Sequence, residues 1–153
     1  MNVLMRWHTF AELSGSDVYE ILSLRQRVFI VEQRCAYNDA DGVDRISFHL
    51  CGRTGTGELA AYLRLIPPGG RYAVPALGRV TTAPEIRRSG VGRLLVEEGI
   101  RRSSSAFPGT PITLSAQIHL EGFYRSFGFL PEGAPHDEDG IMHIMMVRPA
   151  QVR

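Results

Sequence analysis

The chain has no lysine: all seventeen of its Lys/Arg positions are arginine. That excludes a Walker-type phosphate loop, whose Gly-Lys-Ser/Thr core needs the lysine amine. Cysteine is almost as scarce, with only Cys35 and Cys51 and no Cys-x-x-Cys spacing. The five histidines are scattered and none forms His-Glu-x-x-His, so no metal site is expected. A G-x-S-x-G elbow is also missing, which argues against a serine hydrolase. The formal net charge of +1 lacks the basic excess typical of nucleic-acid binding, and no such partner is expected. No run reaches the roughly 18 apolar residues of a membrane helix. Met1 to Phe10 lacks the apolar region of a secretory signal. A cytoplasmic location with reduced thiols and no membrane partner is therefore expected.

What remains is one domain. A length of 153 residues, 44% of them hydrophobic, fits a single core over 1–153. Val3 to His8 reads as a short first strand. Ser16 and Asp17 offer helix caps, and Asp17 with Glu20 has capping-box spacing. Val18, Ile21, Leu22, Val28 and Phe29 follow on a helix expected to end near Glu32. Asn38 to Asp44 reads as a turn-rich loop. Ile46 to Cys51 and Leu59 to Ile66 suggest a hairpin across the glycines at 52 to 57. The second run is also compatible with helix, because Leu and Ala favour it. The segment from Val74 to Thr82 reads as another strand.

The clearest helix follows Pro84. Gly92, Leu95, Val96 and Gly99 fall on one face, and Gly99 implies close packing against a sheet. Ile112 to Ser115 reads as a strand, His119 to Phe127 as a helix closed by Gly128, and Ile141 to Val147 as a last strand. Alternating strands and helices in this half point to α/β layering.

The stretch "PEIRRSGVGRLLVEEGI" places Arg87, Arg88 and Arg93 around Gly90 and Gly92 where that helix begins. A helix start carries unpartnered N–H groups and about half a positive charge, so anions bind there. Small residues let a phosphate approach the backbone, and arginines match its geometry. The plainer alternative is a tight turn with solvated arginines. A dinucleotide-type G-x-G-x-x-G/A occurs at Gly55, Gly57 and Ala60, but it fits the hairpin better and has no acidic residue near position 80.

Arg87-Arg88-Ser89-Gly90-Val91-Gly92 resembles the Arg/Gln-x-x-Gly-x-Gly/Ala acyl-CoA loop of the GNAT N-acetyltransferases. Four segments in order, "LRQRVFIVEQRCAYNDADGVD", "GRVTTAPEIRRSGVG", "AQIHLEGFYRSFGF" and "EDGIMHIMM", resemble the ElaA-like branch over most of the chain. The resemblance implies an α/β (α+β) fold: a central mixed, mostly antiparallel twisted sheet of six to seven strands flanked by about four helices. It also implies acetyl-CoA as co-substrate, an amine acceptor, and compatibility with a homodimer.

Site roles follow from the same resemblance. Backbone groups of Val80, Thr81 and Thr82 would pair with the pantetheine arm. Arg87, Arg88, Ser89, Gly90, Val91, Gly92 and Arg93 would hold the diphosphate, with Gln117 and Phe123 also at the coenzyme. Tyr124 matches the tyrosine that protonates the departing thiolate; its alternative is an aromatic packed one turn from Leu120. The acidic residue that many members carry on the fourth strand is absent from "LGRVTT". Glu32 is the first candidate base, as a carboxylate whose apolar surroundings would raise its pKa. A solvated helix-end glutamate is the alternative. His119 has suitable chemistry but also suits a helix cap. His143 reads as a hydrogen-bonded core histidine. Asp39, Asp41 and Asp44 suit either a cationic amine or simple turns. Beside an N-acetyltransferase, the missing acid leaves open a CoA-binding module or regulator without catalysis. Transfer to a hydroxyl, or from a longer acyl donor, also stays open.

Overall fold

The computed structural model describes residues 2–151. Its strands are β1 (Leu4–Thr9), β2 (Phe48–Arg53), β3 (Leu59–Ile66), β4 (Ala76–Thr82), β5 (Ile112–Gln117), β6 (Leu130–Glu138) and β7 (Ile141–Arg148). They form one sheet of order β1-β2-β3-β4-β5-β7-β6. Every neighbouring pair is antiparallel except β4 and β5. The mixed, mostly antiparallel sheet implied above is what forms, at its upper strand count. Three α-helices flank it among the described residues: α1 (Gly15–Arg25), α2 (Val91–Ala106) and α3 (Glu121–Arg125). About four were expected. After α1 and its π-helical continuation Gln26–Glu32, the chain makes only a 3₁₀ turn at Val43–Ile46 before β2.

All eight residues of β3 are buried, because helices cover both faces. On one face, α2 seats Val91, Leu95, Val96 and Gly99. A Cβ added at Gly99 would stand 3.1 Å from side-chain carbons of Leu63 and Leu77. The close approach expected of that glycine is therefore real. On the other face, the guanidinium of Arg25 in α1 lies over the Tyr62 ring, 5.7 Å from its centroid.

Local details differ from the expectations. The helix cap is Ser14, not Ser16 or Asp17: Asp17 N–H donates to Ser14 Oγ (3.0 Å) and Ser14 N–H to Asp17 Oδ2 (2.9 Å). Glu20 instead accepts from Arg53 (2.9 Å). Leu59–Ile66 is strand, paired along both edges with β2 and β4. The helix expected from His119 shortens to α3 after a 3₁₀ turn at Ile118–Leu120. Gly128, at φ +92°, closes it as expected, with its N–H donating to Arg125 O (2.9 Å).

The three aspartates of the loop neither simply turn the chain nor stand free for an amine. Arg25 pairs with Asp39 (2.9 Å) and Asp44 (2.7 Å), and Arg64 with Asp41 and Asp44 (both 2.9 Å). Arg79 adds a contact to Asp39 at 2.8 Å. Arg25 and Arg64 are buried, so each guanidinium needs carboxylates around it.

The network sets an acid limit. Burial pushes Asp41 up, but hydrogen bonding and charge from Arg64 outweigh it and hold the carboxyl at about 2. A carboxyl lowered on folding stabilises the fold above its unfolded pKa of about 3.9, and that share is lost as pH falls through the folded value. Asp44 is shifted the same way by Arg25 and Arg64, again against burial. Denaturant midpoints are expected to hold above about pH 5 and to fall steeply toward pH 2, with Asp41→Asn removing on the order of 2 kcal/mol of that slope.

Candidate active site

The parallel pair β4–β5 meets at one register point, Ala76 opposite Thr113. Thr113 N–H also donates to Pro75 O (3.0 Å). Beyond that point the strands part, and a cleft of about 1020 Å³ opens between them. Val80, Thr81 and Thr82 line it from β4, and Ser115 and Gln117 from β5. The π-helical turn after α1 supplies Glu32, and Gln33 just beyond it. Gln117 donates to Gln33 Oε1 across the cleft (3.1 Å).

β4 is bulged where it faces this opening. Tyr62 pairs with Thr81 but Arg64 with Gly78, so Leu63 stands opposite both Arg79 and Val80. Arg79 takes φ +51°, and Thr81 Oγ1 donates to its carbonyl (2.7 Å). A bulge leaves a backbone group out of the ladder. Nothing in "LGRVTT" announced it.

The loop before α2 leaves the amides of the first turn open. Arg88 (φ +64°) and Gly90 (φ +86°) are both left-handed. The first helical bond runs from Leu94 N–H to Gly90 O (3.2 Å), and no side chain caps the start. The amides of Val91, Gly92 and Arg93 thus lack intrahelical partners. A Cβ at Gly90 or Gly92 would meet nothing within 4 Å, so the space beside these amides is open.

The family model described as "Acetyltransferase (GNAT) domain" matches residues 45–149. The chain belongs to the GNAT acetyltransferase family. Protein ElaA of Escherichia coli is 39% identical over 140 residues, covering 90% of this chain and 91% of that protein. A Synechocystis UPF0039 protein is 46% identical over 96% of both chains. Among solved structures, an acyl-CoA N-acyltransferase from Pseudomonas aeruginosa superposes with a TM-score of 0.91 at 35% identity, covering 96% of this chain and 99% of that one. The E. coli ElaA crystal structure gives 0.89 at 36% identity, with 95% and 99% covered.

In this GNAT protein the anticipated residues divide into groups. Val80, Thr81, Thr82, Arg87, Gln117, His119, Tyr124 and Glu32 all border the cleft. Arg88, Ser89 and Gly90 to Gly92 form the neighbouring loop and first turn, where Ser89 Oγ donates to Ile86 O. Arg93 turns toward α3 instead. Its guanidinium lies 4.4 Å from the Phe127 centroid and 6.0 Å from that of Phe123, and it donates to Ser126 Oγ (3.1 Å). Phe123 thus packs against Arg93 and, edge-on, against Tyr124 at 5.1 Å. Tyr124 is buried, and burial alone pushes its hydroxyl up to about 12.

The pKa expected of Glu32 is reversed. Its surroundings are not apolar: Arg87 donates to both of its oxygens, at 2.7 and 2.8 Å. That hydrogen bonding holds Glu32 below the usual carboxylate range. His119 is exposed on its 3₁₀ turn, and no side chain caps that turn or α3. His143 does not lie in the core. It is half-buried on the cleft side of β7, opposite Gln117 on β5 and His136 on β6.

The pair His136 and Glu138 beside His143 was missed. On β6, His136 Nε2 lies 2.6 Å from Glu138 Oε2, and Ser115 of β5 donates to the same oxygen. Although burial opposes it, these hydrogen bonds hold the Glu138 carboxyl below its ordinary value. The signal was present as alternation in "HDEDGIMH", whose first and last residues face each other once the Asp139-Gly140 turn closes.

Proposed function

We propose that this GNAT protein moves the acetyl group of acetyl-CoA to a primary amine, which attacks the thioester directly. The parting of β4 from β5 carries this reading. It gives one cleft that runs from Arg87, beside the open amides of α2, to Tyr124 and the polar face of β5.

The residues divide the work. The amides of Val91 to Arg93 receive the diphosphate. Arg87 contributes its guanidinium once the phosphates displace Glu32 from it. Backbone groups of Val80 to Thr82 hold the pantetheine arm, and the bulge supplies an N–H to the carbonyl oxygen, where one such donor is worth about 10²-fold or more in rate. Tyr124 is protonated at neutral pH, as any tyrosine is, and burial raises its pKa further; it passes that proton to the sulfur as the C–S bond breaks.

The amine is the harder problem. An alkylamine with a pKa of about 10.4 is neutral only about once in 2,500 molecules at pH 7, so a base is needed.

The test is thiol release from acetyl-CoA with spermidine, tryptamine, an N-terminally blocked lysine peptide and a peptide with a free N-terminus. Tyr124→Phe is expected to lower kcat about 10²-fold with little change in KM for acetyl-CoA. Turnover unchanged across the whole pH range would remove the tyrosine from the reaction. The missing acid on β4 favours a second reading, a CoA-binding module without catalysis. In that case CoA at a hundredfold excess over its Kd stabilises the fold by about 2.7 kcal/mol, while no thiol is released with any amine.

A further inference from the structure

The transfer proposed above needs a base, and each residue first considered for it is compromised. Glu32 is bound by Arg87 through both oxygens. His119 is exposed on its 3₁₀ turn. The cleft face of β5, β7 and β6, however, presents Ser115 and Gln117, then His143, then His136 and Glu138, side by side in register.

Among these, His143 alone has its tautomer set by a carbonyl. Its Nδ1 lies 2.8 Å from Ile141 O. A carbonyl oxygen only accepts, so Nδ1 carries the hydrogen and the lone pair belongs to Nε2. His136 is held by Glu138 through Nε2 and stands on the outer strand β6, one strand farther from β5 than His143, while Glu138 is occupied by Ser115 and His136 together.

We propose that His143 is the catalytic base of this protein, taking the acceptor's proton on Nε2 while Glu138 offsets the charge the ring gains. This rests on the amine acylation proposed above. His143 takes one N–H proton from the bound ammonium and releases it to water along the exposed β6–β7 turn. The neutral nitrogen attacks, the C–N bond forms and the C–S bond breaks. The thiolate takes the proton of Tyr124, and the second proton lost by nitrogen restores the tyrosine through solvent. One ammonium and one thioester give an amide, a thiol and a net proton.

The groups around His143 are few. β5 presents only neutral Ser115 and Gln117, and β6 presents His136, its ring centroid 6.2 Å away, and Glu138. Asp137 precedes the hairpin turn and Asp139 lies in it, where Cys35 Sγ donates to Asp139 O (2.8 Å). The 3₁₀ turn that packs on β7 brings His119. Glu32, elsewhere on the cleft wall, is already paired with Arg87.

The experiment measures kcat/KM against pH for wild type and His143→Asn, using whichever of the four amine probes turns over fastest. Asparagine keeps a donor for Ile141 O but has no basic nitrogen. At pH 7 the variant is expected to lose about 10²–10³-fold. Its kcat/KM then climbs with pH along the titration of the free amine, approaching wild type near the amine's own pKa, whereas wild type levels off earlier. The CoA-induced thermal shift and KM for acetyl-CoA stay as in wild type. His143→Gln, which differs in reach, is expected to give the same profile. Wild-type activity in both variants, or a loss equal at every pH, overturns the assignment. A wild type that binds CoA but acylates none of the probes overturns the transferase reading itself, and the base with it.

Discussion

Gly90→Asp is expected to weaken coenzyme A binding at least a hundredfold while leaving the protein folded. Gly90 sits at φ +86°, and a Cβ placed there would meet nothing within 4 Å. Aspartate tolerates the left-handed region better than most residues, so the fold loses little. Its carboxylate, however, would stand at the open amides of α2, where the diphosphate is expected. Two unit charges about 5 Å apart at an effective dielectric near 20 repel by about 3 kcal/mol, which is more than a hundredfold in affinity. Calorimetric titration with CoA measures this directly. Gly90→Ala serves as the control: it adds backbone strain of about 1–2 kcal/mol but no charge, so it should bind CoA far better than the aspartate variant. Equal affinity in wild type and Gly90→Asp would remove the diphosphate from this helix start.

Arg25→Leu is expected to cost about 3 kcal/mol of folding stability, measured by denaturant unfolding at pH 7. The side chain is fully buried between Asp39 and Asp44, whose own side chains are 10% and 14% exposed. Removing one member of such a group leaves buried carboxylates short of positive charge. The figure falls at the low end of the usual range because Arg79 still reaches Asp39 and Arg64 still reaches Asp44. Against a typical total of about 5–15 kcal/mol it is still a large fraction. The deficit should shrink as pH falls and Asp44 protonates. A loss below about 1 kcal/mol would mean that water, not Arg25, already satisfies this loop.

How far the sequence foretold this protein depends on how local each signal is. α2 and its glycine loop were legible because everything that makes them lies within one stretch: the apolar face, the small residues, and Gly99 for close approach to Leu63 and Leu77. β6 was not. Pro131, Gly133 and Pro135 hide its alternation, and an outer strand tolerates them because only one of its edges is paired. The network of Arg25, Arg64 and Arg79 with three aspartates depends on pairings between residues 14 to 40 positions apart, which composition does not reveal. Hence the aspartates read as turn formers. The raised pKa expected of Glu32 failed for a similar reason: "VFIVEQ" is apolar in sequence, but Arg87 meets the carboxylate in space. His143 stood among methionines and read as core. Cross-strand register instead puts it beside Gln117 and His136, on the face that looks into the cleft.

A crystal structure with coenzyme A bound tests the central claim most directly. The expected result has the diphosphate within hydrogen-bonding distance of the amides of Val91 to Arg93, Arg87 released from Glu32, and the thiol lying between β4 and β5 within reach of Tyr124. Coenzyme A seated on another face, with the space between those strands empty, would contradict it.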